Sequence, residues 1–182
     1  MQDMTAANLR SAFGGESMAH LRYLVWAKKA QDEGFVNVAR LFRAISRAEE
    51  AHASGHFRAM KDVAGEFSVT AGAGFGLGTT SENLAGAIAG ELFEVNQMYP
   101  AYMAVAEAQS ETAALKSMSY ALEAEKTHAG MFEQAKSSVD AGKDYQVGTI
   151  RVCSLCGHTL EGDAPQRCPV CGVAAKMFVA FE

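Results

Sequence analysis

Cys153-Ser154-Leu155-Cys156-Gly157 and Cys168-Pro169-Val170-Cys171-Gly172 put four thiols in two CxxC knuckles, all within the last thirty residues. Four thiolates so spaced form the tetrahedral set that zinc or a single iron accepts. The glycine after each second cysteine lets the chain turn tightly and offer backbone N–H groups to sulfur. Structural disulfides are the competing use. Met1-Gln2-Asp3-Met4 lacks the charged-then-apolar plan of a signal peptide, so a cytoplasmic location is expected, where thiols stay reduced. The spacing admits redox-silent zinc and redox-active iron alike.

A second constellation appears when two stretches of the chain are compared. Ala12, Gly15 and Glu16 match Ala87, Gly90 and Glu91 at an offset of 75, and Ala48-Glu49-Glu50-Ala51-His52-Ala53 matches Ala124-Glu125-Lys126-Thr127-His128-Ala129 at an offset of 76. Each half is one helix bearing a glutamate followed by a helix bearing Glu-x-x-His. Residues three apart share a helix face, so Glu49 with His52, and Glu125 with His128, each present two donors to one point. Two such helices and two single-glutamate helices are the ligand plan of a di-iron or di-manganese four-helix bundle. A solvated face of i,i+4 ion pairs would instead set lysines beside the glutamates. Here the neighbours are apolar, as in Ala89-Gly90-Glu91-Leu92-Phe93, and a carboxylate on a core face is costly unless metal or partners neutralise it.

The repeat also breaks. Glu94, one turn after Glu91, has Ala19 as its counterpart, so a third carboxylate faces the bundle on one side and makes the two metals inequivalent. Tyr23 lies seven residues after Glu16 and Tyr99 eight after Glu91, which locates one extra residue between Glu91 and Tyr99. A single residue inserted in a helix predicts a π-bulge near Glu94. His56 pairs with Phe132 in the repeat and His20 with Val95; both read as core or supporting histidines rather than ligands. Glu50 and Glu123 read as surface charges, the nine methionines as adaptable core filling. Tyr23 and Tyr99 are open between packing and hydrogen bonding to ligand carboxylates.

These side chains require long helices, and the apolar spacing supplies them. Stripes such as Leu9, Phe13, Leu21, Leu24, Val25 and Val38, Leu41, Phe42, Ile45 predict helices over about 5–33, ending at Gly34, and 37–63, closing at Gly65. Residues 64–80, broken by five glycines, read as a crossover. Thr79 and Glu82 form a capping box opening a third helix, which runs to about Gln109 with a kink at Pro100; a fourth covers 112–141 and stops at Gly142. The fold class expected is mainly α: a four-helix bundle over 1–146 and a small β-rich Cys₄ metal domain over 147–182, with strands near 149–152 and 177–181.

Composition narrows the rest. Sixteen basic against 21 acidic residues in 182 leave a charge of −5, which argues against nucleic acid, and no apolar run approaches the ~20 residues of a membrane span. The tail carries three acids and three bases, so the whole −5 belongs to the helical region.

On these residues the chain resembles rubrerythrin, a ferritin-like di-iron bundle followed by a rubredoxin-like domain; the likeness covers Ala12–Tyr23, Ala48–Ala53, Gly90–Pro100, Ala121–His128 and Cys153–Phe181. It implies that Glu16, Glu49, Glu91, Glu94, Glu125 and His128 bind two irons. His52 is implied as the ligand that exchanges with Glu94, and Cys153, Cys156, Cys168 and Cys171 hold one further iron, or zinc. Glu94, His52, Tyr23 and Tyr99 are thereby cast in catalytic parts. The implied activity is reduction of hydrogen peroxide to water in oxidative-stress defence, with electrons from an NAD(P)H-dependent reductase or a soluble rubredoxin. The implied assembly is a homodimer with one subunit's rubredoxin domain against the other's bundle, or one that swaps helices about the glycines of 64–80. An iron-storing ferroxidase is the alternative, but it gives the tail no purpose. So is a binding module whose zinc ribbon recruits a partner, but that leaves the internal carboxylates unexplained.

Overall fold

The computed structural model describes residues 1–182. Four helical columns form a bundle: α1 (Asp3–Asp32), α2 (Val36–Ala59), a composite third column and α5 (Thr112–Asp140), the crossover returning the chain so that the second and third columns run the same way. The third column is α3 (Thr80–Phe93), a π-helical turn at Glu94–Met98, and α4 (Tyr99–Ala108). The expected insertion is thus absorbed where the repeat placed it. Pro100 follows at the start of α4, where the widened turn accommodates a residue without an N–H. The second helix ends four residues earlier than the sequence suggested.

Local signals set the ends. Gly34 and Gly142 take φ of +89° and +71°, the left-handed conformation that closes α1 and α5. Thr79 and Glu82 form a complete capping box on α3. α2 has no side-chain cap of its own; the carboxylate of Asp144, far along the chain, accepts from the N–H groups of Asn37 (2.9 Å) and Val38 (3.3 Å).

The crossover 60–79 lies along α1 rather than free. Thr70 O accepts from Ser11 Oγ, Gly76 O from Trp26 Nε1, and Arg10 stacks on Phe67. A Cβ on Gly14 would meet Val69 at 2.9 Å, so close backbone approach accounts for glycine there.

The tail folds as a three-stranded antiparallel sheet in the order β2-β1-β3: β1 Ile150–Cys153, β2 Thr159–Glu161 and β3 Phe178–Phe181. Ile150 and Val152 join the largest core cluster, with Leu41, Phe42, Ile45 and Phe132 of the bundle. Within the single chain this sheet rests on its own bundle. The linker is pinned to the same chain: besides the Asp144 cap, Arg40 donates to Val147 O (2.6 Å) and Tyr145 to Gln134 (3.1 Å).

Candidate metal centres

α1 delivers Glu16, α2 Glu49 and His52, α3 Glu91, and α5 Glu125 and His128 to the middle of the bundle, all buried. They form two overlapping donor groups. Glu16, Glu49, His52 and Glu125 make one; Glu49, Glu91, Glu125 and His128 make the other, with the ligand atoms of each within 4.8 Å of one another. Glu49 and Glu125 belong to both, as bridging carboxylates must, and the repeat relates the two groups by a pseudo-two-fold.

Hydrogen bonds orient every donor. Tyr23 donates to Glu91 Oε1 at 2.7 Å and Tyr99 to Glu16 Oε1, which resolves both tyrosines in favour of hydrogen bonding. His52 Nδ1 meets Glu49 Oε2 at 3.2 Å and His128 Nδ1 meets Glu125 Oε2 at 2.6 Å. One oxygen of each carboxylate is left without a well-aligned hydrogen bond, Glu16 Oε2, Glu49 Oε1, Glu91 Oε2 and Glu125 Oε1, the last facing His52 Nδ1 at 2.7 Å. Four orphaned buried oxygens converging with two ring nitrogens are what a pair of cations satisfies.

The charges say the same. Burial and the neighbouring carboxylates push Glu49 well above the carboxylate range and Glu91 to about 8. Burial also opposes ionised Glu125, but the adjacent His52 and His128 outweigh it and hold the group at about 2. Burial disfavours imidazolium, yet Glu125 and its neighbours raise His128 to about 9. Protons thus stand in for positive charge, and four carboxylates with two divalent ions would sum to zero.

Glu94 stands outside both donor groups, half-buried in the π turn. It lines a cavity of about 460 Å³ between α1, α3 and the crossover, with Gly15, Gly90 and Tyr102 in the wall. Burial first, then Glu16, Glu125 and Glu91, push its carboxyl up. His20 bonds Ser46 away from the donor groups, and Glu50 and Glu123 pair with Arg47 and Lys126 at the surface.

In the tail, Cys153 Sγ lies 3.6 Å from Cys171 Sγ and Cys156 Sγ 3.6 Å from Cys168 Sγ. A tetrahedron with metal–sulfur bonds of about 2.3 Å has edges of roughly 3.7 Å. Gly157 and Gly172 take φ of +74° and +77°, as the knuckles demand. A hydrogen bond from the Cys156 thiol, outweighing burial, and the N–H groups of Cys156 and Leu155 bring the Cys153 thiol down to about 5.

The centres touch. His52 Nε2–H donates to the carbonyl of Cys156 (3.1 Å); His128 Nε2–H donates to Thr159 Oγ (3.0 Å), which donates to Gly157 O (2.9 Å). A Cβ on Gly157 would lie 2.1 Å from His52 Nε2. Thr159 and the strand that carries it escape sequence reasoning, since three residues offer too little alternation to register. The sequence marks Gly157 only as a turn.

Comparison with known proteins agrees. Residues 7–136 match the family model described as rubrerythrin, and 152–179 that of the rubrerythrin rubredoxin-like domain. Rubrerythrin-2 of Clostridium acetobutylicum is 47% identical over 178 residues, 98% of this chain and 97% of that protein. Nigerythrin of Nitratidesulfovibrio vulgaris is 29% identical, over 97% of this chain and 86% of that one. The structure of fully reduced, all-ferrous nigerythrin superposes with a TM-score of 0.82 at 29% identity, covering 100% of this chain and 88% of its own. Bacterioferritin BfrA of Mycobacterium tuberculosis, 18% identical with a TM-score of 0.69 over 79% of this chain and 90% of its own, shares the fold.

Proposed function

The chain belongs to the rubrerythrin family, with a di-iron carboxylate/histidine site and a rubredoxin-like four-cysteine site, and from that membership we propose that it is a peroxidase reducing hydrogen peroxide to water. The observation that carries this reading is the single hydrogen bond, His52 Nε2–H to Cys156 O, between the four-thiol site and the carboxylate cluster. An oxidoreductase that stores no iron needs such a link; an iron-storing ferroxidase does not.

In this reading Glu16, Glu49, Glu91, Glu125, His52 and His128 hold two irons through Nδ1 and the orphaned oxygens, and Cys153, Cys156, Cys168 and Cys171 hold one. Two irons held there would supply two electrons together, and an iron held by the four thiolates would pass them on one at a time. The residues do the rest. Tyr23 and Tyr99 keep Glu91 and Glu16 turned so that one oxygen of each faces the ions. The carbonyl of Cys156 and the hydroxyl of Thr159 fix both imidazoles with Nδ1 inward. Glu94, on the wall of the cavity by which a small peroxide would enter, would supply extra negative charge to oxidised ions in exchange with His52. Helix and sheet packing excludes bulk water from the six ligands.

The proposed electron donor is a soluble rubredoxin or an NAD(P)H-dependent reductase, and the proposed compartment the cytoplasm, where the four free cysteines stay reduced. No helix is long and apolar enough to cross a membrane. The homodimer has a candidate face in Leu21, Leu24 and Val25 of α1 with Phe75 and Leu77, all exposed. Anaerobic stopped-flow mixing of the reduced, iron-loaded protein tests the activity. Reoxidation much faster by peroxide than by dioxygen is expected; equal rates would refute the peroxidase reading.

A further inference from the structure

The two halves of the bundle treat their tyrosines differently. Tyr23 and Tyr99 are repeat partners, each fully buried and each donating to a ligand glutamate. Behind Tyr23 no second polar group bonds the hydroxyl: its ring packs edge-on to Phe132 at 5.3 Å and against Phe42 at 5.7 Å and Trp26 at 5.8 Å, with the Arg22 guanidinium 5.6 Å from the ring centre. Behind Tyr99 stands His56, at the position related by the repeat to Phe132. His56 Nε2 lies 2.9 Å from Tyr99 Oη, and His56 Nδ1 2.9 Å from Ser117 Oγ. Ser117 in turn is the repeat partner of Leu41, a fully buried core residue. At both positions a polar residue replaces an apolar one, and together the two replacements build a connected chain.

The hydrogens in that chain have one consistent direction. A carboxylate only accepts, so the Tyr99 hydroxyl donates to Glu16 and its oxygen accepts from His56 Nε2–H. Nδ1 then accepts from Ser117 Oγ–H. Glu16 Oε1 lies 3.8 Å from His56 Nε2, beyond hydrogen-bond reach, so Tyr99 is the bridge. The other connections end sooner: His52 at the carbonyl of Cys156, His128 through Thr159 at the carbonyl of Gly157, and Tyr23 in aromatic rings. Ser117 is only half-buried.

We propose that Ser117, His56 and Tyr99 form a proton path from solvent to Glu16, with His56 as its central positioning residue. The proposal rests on the peroxidase reading for its purpose, since peroxide, two electrons and two protons give two waters and each proton must cross a packed bundle. In one passage Tyr99 gives its hydroxyl proton at Glu16 Oε1 and takes the Nε2 proton of His56. Nδ1 takes the Ser117 proton, and Ser117 takes one from water; one proton has moved inward and none is lost. The site is thereby asymmetric: protons arrive on the side of Glu16 and His52.

The test compares the two tyrosines within one molecule, without peroxide. In zinc-loaded protein with ¹³Cζ-labelled tyrosine, NMR in mixed H₂O and D₂O reads the exchange of each hydroxyl proton. The Tyr99 hydroxyl is expected to exchange at least ten times faster than that of Tyr23. His56→Phe with Ser117→Leu, which gives this side the residues of the other, should bring Tyr99 down to the Tyr23 rate, and His56→Gln should recover part of the difference. If the double variant does not fold, Ser117→Ala at the half-buried end must still slow Tyr99 several-fold. Equal rates in the native protein, or a Tyr99 rate indifferent to these changes, would overturn the path. Because no peroxide is involved, that result leaves the peroxidase reading to its own experiment.

Discussion

Gly157→Ala and Gly172→Ala form a matched pair that isolates the contact between the two metal centres. Both glycines follow a second knuckle cysteine and hold nearly the same backbone conformation, φ of +74° and +77°. An alanine at either costs about 1 kcal/mol in backbone strain. Their surroundings differ entirely. Around Gly172 a Cβ meets nothing within 4 Å, whereas at Gly157 it falls 2.1, 2.7 and 3.0 Å from Nε2, Cδ2 and Cε1 of His52. The ring is held on its far side by Glu49 and cannot retreat. The knuckle must therefore shift by about 1 Å, which breaks the bond from His52 to Cys156 O, worth about 1–1.5 kcal/mol net. The sum for Gly157→Ala is about 2–2.5 kcal/mol against about 1 kcal/mol for Gly172→Ala; the strain is common to both, so the difference of about 1–1.5 kcal/mol, a factor of roughly 5–13, falls on the docked population. Hydrogen exchange of β1–β3 reads the docking, and stopped-flow transfer from the reduced four-cysteine iron to the oxidised bundle reads its use. Transfer should slow in Gly157→Ala and stay near the native rate in Gly172→Ala, while direct chemical reduction of the bundle iron is unchanged in both. Equal behaviour of the two variants would refute the argument that this contact joins the centres.

Glu49→Gln should abolish binding of both cations because Glu49 serves both donor groups, whereas Glu16→Gln should abolish one; cobalt titration counts the equivalents, and two retained by Glu49→Gln would contradict the bridging assignment. Glu33 is held at about 2, chiefly by the hydroxyl of Thr80, with Lys29 and the Thr80 N–H adding to it. A depressed carboxylate stabilises above its unfolded value and loses that contribution as pH falls through the folded one. Glu33→Gln should therefore destabilise the metal-free protein to denaturant at pH 6, with the difference from native shrinking between about pH 4.5 and 2. Gly90→Ala places a methyl group where no atom lies within 4 Å. It should raise helix stability by about 0.5–1 kcal/mol in thermal melts while narrowing the cavity beside Glu94, slowing a bulky organic hydroperoxide more than hydrogen peroxide.

Much of this site was legible because its positions are over-determined. Two Glu-x-x-His runs at one offset place ligands on matching faces, and the change of offset from 75 to 76 locates the π turn at Glu94–Met98, both being counting arguments that tertiary packing does not disturb. What could not be read depends on contacts between segments distant in sequence. Asp144 caps α2 across more than a hundred residues, Thr159 reaches His128 from a three-residue strand, and the carbonyl of Cys156 has no side-chain signature. Glu94 shows the limit of a one-turn argument: three residues after Glu91 it should share its face, but the π turn begins at Glu94 itself and the carboxylate lies outside the donor groups.

The repeat explains why such a site is asymmetric in use although nearly symmetric in ligands. Duplication of a helix pair supplies Glu16 and Glu91, Glu49 and Glu125, His52 and His128, and so fixes two equivalent cation positions with the charge of four carboxylates between them. Nothing in that plan distinguishes an entrance for electrons from one for protons or substrate. The distinctions come from positions where the halves differ: Glu94 against Ala19 beside the cavity, and His56 and Ser117 against Phe132 and Leu41 behind Tyr99. The tail adds a third, covering the outer nitrogens of both histidines with one knuckle. The charge follows the same division. Without Glu16, Glu49, Glu91, Glu94 and Glu125, the 21 acids become sixteen against sixteen bases, so the excess of −5 equals the carboxylates committed to the metals and their cavity. In the working protein that charge is answered by cations inside rather than by solvent outside.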